Sequence, residues 1–266
     1  MISKIKNFIK NIIFYKFYTN LRKYTWKGVY LNWSDLPLDV RGFDSNRFVN
    51  DTFIMTKNRL SKKYSKIPAE IKDENALLPL LAAIMCHKQL KVRILDFGGG
   101  MGISYIHIRD AIPNGSFLDY HIIEQEKMCM GGASLFCNDD HIHFHTVLPV
   151  DLSDIDIVYI NSALQYINDY LSLLKKLCAY KPTYFLFVRL SAGDVPTYIT
   201  VQENVPDVRI PYYFFNVDEI VSIMGECGYQ LIFKGALGKK YSMDNLPPEN
   251  RLEYQSNLLF AKKFAE

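Results

Sequence analysis

The sequence predicts an α/β domain: a mostly parallel, seven-stranded sheet with helices on both faces, behind a helical and irregular N-terminal cap. Three observations carry this. Short apolar strands alternate with helix-length segments from residue 73 onward, a glycine-rich turn follows the first of those strands, and two apolar strands close the chain. The helix "ENALLPLLAAIMCHKQL" leads into the strand "VRILDF", and the glycine turn into a helix ending near Ala111. The strand "FLDYHIIE", the helix "QEKMCMGGASLF" and the strand "IHFHTV" follow, then a loop with Pro and Asp, the strand "IDIVYI", a helix around "DYLSLLKKLCAY" and the strand "TYFLFVRL". Prolines and aromatics interrupt the order over residues 191–215, before the helix "VDEIVSIMGEC" and the closing strands "YQLIFKG" and "NLLFAKK". The expected organisation is therefore a cap over residues 1–72 and a main domain over 73–266 carrying an insertion at 191–215.

Ahead of that alternation, Ile2, Ile5, Phe8, Ile9, Ile12 and Ile13 recur at helical spacing with Lys6 and Lys10 on a more polar side. Such a basic amphipathic helix either docks on the protein's own body or lies on an anionic membrane surface, a peripheral contact. Residues 20–66 read as aromatic-rich irregular structure belonging to a lid. Lys10 and Lys16 break the apolar run that a signal peptide or a membrane span needs. Five widely spaced cysteines without a CxxC pair fit a reducing cytoplasm. A net charge of +3 on 266 residues argues against nucleic acid as a partner. Oligomeric state leaves no mark in the sequence.

The stretch "RILDFGGGMGISY" carries the chemistry. A phosphate loop needs GxxxxGK followed by Ser or Thr, and no lysine is near. A dinucleotide fingerprint needs GxGxxG, but the sixth position is Ile103 counted from Gly98 and Tyr105 counted from Gly100. What remains is Asp96, Gly98, Gly100 and Gly102 at alternating positions, with Gly99 between. This pattern resembles motif I of class I S-adenosylmethionine-dependent methyltransferases, which implies a Rossmann-like fold and S-adenosylmethionine as cofactor. The charge logic agrees: a carboxylate beside the turn attracts an ammonium and a sulfonium and repels a pyrophosphate. Glu124, ending the next strand and followed by Gln125, is placed to accept from both ribose hydroxyls. In "NSALQYIND", Asn161 and Ser162 are placed to face the methionine end of the cofactor, while Tyr166 stands where many relatives have a histidine.

A narrower resemblance spans most of the chain. "GVY" (residues 28–30), "LDFGGGMG", "NSALQY" and "VQENVP" are similar, in that order, to a family of methyltransferases encoded with bacterial capsule and O-antigen genes. It implies cytoplasmic O-methylation of a surface-glycan precursor, on a phosphate, a phosphoramidate or a sugar hydroxyl. The alternative is a non-catalytic adaptor of the same fold at a membrane-associated glycan-assembly complex. Arg189 ends its strand at the ligand edge of the sheet, suited to an anionic acceptor or to a structural ion pair with Asp194 or Glu203. Tyr30, Tyr166 and Arg189 are the candidates for positioning the acceptor. Tyr198, Gln202, Arg209, Tyr212 and Tyr213 lie in the insertion, as a binding wall or as packing. His141, His143 and His145 share one face of a strand, but the outer two are ~13 Å apart at strand rise. The expectation is a polar strand face without metal.

Overall fold

The computed structural model describes residues 25–40, 46–61, 73–88, 91–112, 118–205, 208–237 and 242–263. The amphipathic segment at the amino terminus lies outside them. β1 (Trp26–Tyr30) is followed by α1 (Asn46–Leu60) and α2 (Asp73–Lys88). The alternation then begins: β2 (Val92–Phe97), α3 (Ile103–Ala111), β3 (Leu118–Ile123), α4 (Glu126–Leu135), β4 (Ile142–His145), β5 (Ile157–Asn161), α5 (Tyr170–Ala179) and β6 (Tyr184–Leu190). The chain ends with β7 (Ala192–Gly193), β8 (Tyr198–Val205), β9 (Val208–Asn216), α6 (Val217–Glu226), β10 (Tyr229–Leu237) and β11 (Gln255–Lys262).

The main sheet has seven strands in the order β10-β11-β6-β5-β2-β3-β4, parallel except that β11 runs antiparallel to both neighbours. Its central strands are buried on both faces, which is why they read as nearly continuous apolar runs. Alternation sends Leu95, Val158 and Phe187 to one face, under α5 and α6, and Ile94, Ile122 and Tyr159 to the other, under α2 and α3. Strand order reverses beside β2: the chain steps outward through β3 and β4, then returns to pair β5 with β2. Ligands in such sheets bind at this switch point, outside the carboxyl ends. No helix connects β4 to β5, so beyond β2 the α5–α6 face lacks a covering helix among the described residues.

Two expectations change. The segment expected to be irregular contains β1 and α1, and the insertion is strand rather than open loop. β8 and β9 form an antiparallel hairpin that β1 and β7 extend into a four-stranded sheet, β1-β8-β9-β7. Pro211 is compatible with β9 because, opposite Val201, only the β8 side of the strand is paired. Trp26 anchors this sheet from the amino-terminal side: it is 3% exposed, its ring lies 5.3 Å from that of Phe214, and its carbonyl accepts from Asn245 Nδ2 at 2.8 Å.

Two helical glycines test the packing with opposite signs. A Cβ on Gly132 of α4 would meet the Phe144 ring at 2.2 Å, so Gly132→Ala is expected to cost about 1–3 kcal/mol, partly recovered by adding Phe144→Leu. A Cβ on Gly225 of α6 would meet nothing within 4 Å beyond its own helix backbone and chain neighbours. Gly225→Ala is expected to stabilise by roughly 0.3–1 kcal/mol through helix propensity and a less flexible unfolded chain. Thermal denaturation of the two single variants and the double variant reads both effects.

Candidate functional site

Asp96, on β2, points to the face carrying Ile94, Tyr120 and Tyr159 and is fully buried. Tyr120 donates to its Oδ2 at 2.6 Å, while Oδ1 is buried with no hydrogen-bond partner. Burial pushes this carboxyl up to about 7; the Tyr120 hydroxyl opposes that and the nearby Glu124 adds to it. The turn closes directly over the acid. A Cβ on Gly99 would lie 2.3 Å from Asp96 Oδ2, and one on Gly98 would lie 2.4 Å from the Ala163 Cβ. Only glycine therefore lets the turn sit between the buried carboxylate and the loop after β5. Asp96 lies beneath the turn, not beside it as the sequence suggested.

The remaining cofactor candidates surround this turn. Gly98 N donates to Ile123 O at 2.9 Å, fixing the turn to the end of β3, where Glu124 follows. Glu124 is half-buried, and desolvation raises its carboxyl to about 7 against a hydrogen bond from the Gln125 backbone. Gln125 is exposed at the start of α4. Gly100 faces Met128 and, at 4.0 Å, Thr52 of α1, so a helix unsuspected from the sequence lies against the turn. Gly102 begins α3 against Ile142 and Phe136.

The other wall is the loop "NSALQY". Asn161 spends both ends of its amide: Nδ2 donates to Tyr159 Oη at 2.6 Å and Oδ1 accepts from Arg189 Nε at 2.8 Å. Ser162 has φ of 54° and Arg189 φ of 52°, left-handed values that side-chain-bearing residues adopt only where surroundings hold them. The holding contacts are polar. Arg189 N donates to Asn257 Oδ1 at 2.9 Å, and Arg189 O accepts from the Nε2 atoms of Gln255 at 3.1 Å and Gln165 at 3.3 Å. Gln165 is fully buried, also donates to Ser162 Oγ, and has no partner for its Oε1. Sequence reasoning missed Gln165 and Gln255; for Gln165 an amide inside the run "ALQYI" was the available signal.

Arg189 is half-buried, and among the described residues no carboxylate forms a salt bridge with it. Glu203, offered as its partner, pairs instead with Lys27 at 2.8 Å and Arg209 at 3.0 Å, and Arg209 also reaches Asp39. The insertion tyrosines are more enclosed than a binding wall requires. Tyr198 and Tyr212 are 1% and 2% exposed; Tyr198 Oη donates to Asn250 O at 2.6 Å and Tyr212 Oη lies 2.5 Å from Ser191 Oγ. Gln202 is buried and accepts from Tyr166 Oη at 3.1 Å, and the Tyr166 ring packs edge-on to Tyr212. Tyr213 is half-buried between Trp33, Tyr170 and Phe215, and Tyr30 is half-buried on β1. A cleft of about 990 Å³ opens beside the end of α5, lined by Phe97 and Ile123, the residues just before the glycine turn and Glu124, by the loop after β4, and by Lys176 and Ala179 of α5.

No protein-family model matches the chain, and no curated protein sequence does. Solved structures do. Magnesium protoporphyrin IX methyltransferase from Synechocystis PCC 6803, solved with bound S-adenosylhomocysteine, superimposes with a TM-score of 0.50 at 12% identity over 82% of this chain and 97% of that one. The 1,6-didemethyltoxoflavin N1-methyltransferase of Burkholderia thailandensis gives a TM-score of 0.49 at 15% identity over 86% and 93% of the two chains. The strand order, with its antiparallel β11 inserted between β6 and β10, and the first of these superpositions identify the fold as that of the class I S-adenosylmethionine-dependent methyltransferases.

Proposed function

We propose that the chain is an S-adenosylmethionine-dependent methyltransferase acting on oxygen of an anionic small molecule or glycan precursor. The observation that carries the first half is the buried Asp96 carboxylate, one oxygen unpaired, under a glycine turn at the switch point, with Glu124 ending the next strand. S-adenosylmethionine supplies an electrophilic methyl group on a sulfonium. The protein's part is positioning. Asp96 supplies negative charge beneath the cofactor's cationic end, Glu124 accepts from the ribose, and the backbone of the turn makes close approach. Asn161 links the two walls, since its amide joins Arg189 to the Tyr159 hydroxyl beside Asp96.

The acceptor half rests on Arg189 and on the ordered resemblance of "GVY", "LDFGGGMG", "NSALQY" and "VQENVP" to capsule-locus methyltransferases. A guanidinium with its Nε oriented by Asn161 and no carboxylate partner among the described residues suits a phosphate or phosphoramidate oxygen. An anionic acceptor also removes the need for a general base, which fits Tyr166 being packed on Tyr212 and bonded to Gln202. Tyr30 and the 191–215 segment form the enclosing wall in this reading, excluding water and aligning the acceptor oxygen with the departing sulfur.

Calorimetric titration tests the cofactor assignment through pH. A carboxyl at about 7 must lose its proton for Asp96 to face a cation and for Glu124 to accept from both ribose hydroxyls, so affinity for S-adenosylmethionine is expected to rise from pH 5.5 toward 7 by up to about tenfold per pH unit per carboxyl and to level off by pH 8. Glu124→Ala weakens binding at every pH; equal affinity for NAD would reject the assignment.

Stability without ligand gives an independent reading. Asp96 is raised on folding, so the folded protein keeps a proton that the unfolded chain has released, and this contribution is lost as pH rises from about 4 through about 7. Buried His121 and half-buried His107 and His145 have values lowered chiefly by desolvation and act with the opposite sign, so the informative quantity is the difference from a variant. Asp96→Asn is expected to melt a few degrees above the wild type at pH 8 and to bind no cofactor.

For the acceptor, Arg189→Ala is expected to raise the Michaelis constant at least tenfold with cofactor affinity within about twofold, and Arg189→Lys to recover part of it. Unchanged acceptor kinetics would reject the anion site alone.

A further inference from the structure

The uncovered part of the α5–α6 face carries a cluster that methyl transfer does not use. Asp119, His121 and Ile123 alternate along β3 on that face, and register places His143 opposite His121 and His145 opposite Ile123 on β4. His121 Nε2 lies 3.0 Å and His143 Nε2 3.3 Å from the same carboxylate oxygen, Asp119 Oδ1. The three ligand atoms all lie within 4.8 Å of one another. Ligands at zinc distances of about 2.1 Å in a tetrahedral arrangement are roughly 3.4 Å apart, so small side-chain shifts close the set. His121 is only 8% exposed, and its Nε2, although near the carboxylate, makes no hydrogen bond in any direction. A buried nitrogen left so, aimed at a shared point, is the independent sign that something else belongs there.

The surroundings orient the same set. His121 Nδ1 lies 3.0 Å from His145 Nε2, and a proton donated along that line leaves the Nε2 lone pair facing Asp119. Asp119 Oδ2 is held by Arg93 Nε at 2.8 Å and Lys91 Nζ at 2.9 Å, which turns Oδ1 toward the imidazoles. The two cations oppose a dication, but they occupy the other oxygen, and the Lys91 side chain is 59% exposed, where water screens it. His143, its side chain 42% exposed, leaves a fourth position open to solvent. We propose that Asp119, His121 and His143 bind a zinc-class divalent cation, with water as the fourth ligand and His145 and Arg93 as orienting neighbours. Two imidazoles and one carboxylate suit zinc or cobalt; calcium and magnesium take oxygen sets. The ion clamps the edge strand β4 to β3 close to Glu124, whose backbone N–H donates to His145 O at 3.0 Å. The sequence expectation of no metal counted histidines along one strand, whereas the ligands come from two.

The test uses untagged full-length protein freed of metal with a chelator, titrated with zinc in a calorimeter and with cobalt(II) as an optical probe. The expected result is one equivalent per chain, visible cobalt bands of tetrahedral intensity and a raised melting temperature. His143→Ala, an exposed change whose metal-free circular dichroism should match the wild type, is expected to weaken binding by roughly tenfold or more, losing a whole ligand where loss of a mere orienting partner already costs about that much. His87→Ala, at an exposed histidine of α2, is expected to leave binding intact. Absence of stoichiometric binding, or undiminished binding in His143→Ala, overturns the site. None of these readouts depends on methyl transfer.

Discussion

The placement of one carboxylate underneath a turn governs the architecture around it. Asp96 sits in the apolar face of the central strand, where ionisation is disfavoured by burial and supported by one tyrosine hydroxyl. Nothing larger than glycine fits at residue 99 above it, and the glycine before it must accept the Ala163 methyl from the loop beyond β5. The two loops at the switch point are thus in contact because the turn has no side chain there and the other loop offers only a methyl. The cost of holding a buried acid with an orphan oxygen is offset by the core on both faces of the sheet.

A second polar knot ties the small sheet to the large one. Gln165, Ser191, Tyr212 and Gln255 converge on the carbonyl of Arg189 and on each other, all inside the protein. Arg189 is held in a left-handed backbone by these contacts and by Asn257, so its guanidinium leaves the sheet in one direction set from behind. Through Asn161 that orientation reaches the Tyr159 hydroxyl, in the buried polar group that includes Asp96.

The sequence disclosed much of this, and the pattern of what it hid is physical. Strands β2, β5 and β6 were legible because strands buried on both faces are written as apolar runs of strand length, and the motif from Asp96 to Gly102 because glycine spacing and an acid survive without tertiary context. β8 was obscured by the prolines around it, although "YITVQENV" is rich in β-branched residues, and α1 by a polar composition that the surface side of a helix shares with a loop. The enclosure of Tyr198 and Tyr212 was not legible, since a tyrosine at a ligand edge and one in a core look alike until the strand pairing is known. Pairing was also what hid the partners of His143: they sit on β3, 22 and 24 residues earlier in the chain.

The joining of the small sheet to the loops at the switch point through buried polar atoms bears on how a protein of this fold can vary the surface beside its ligand edge. An open loop over an active site is a removable part, exchanged between proteins with little regard for its base. The β8–β9 hairpin is not, because lifting it out removes the buried Tyr212 hydroxyl, 2.5 Å from Ser191 Oγ and 3.5 Å from the amides of Gln165 and Gln255, and breaks a polar cluster in a dry interior. Substitutions on the hairpin's outward face and on β1 leave that cluster untouched. A transplanted hairpin keeps the contact only where a hydroxyl at the place of Tyr212 meets the host's Gln165, Ser191 and Gln255.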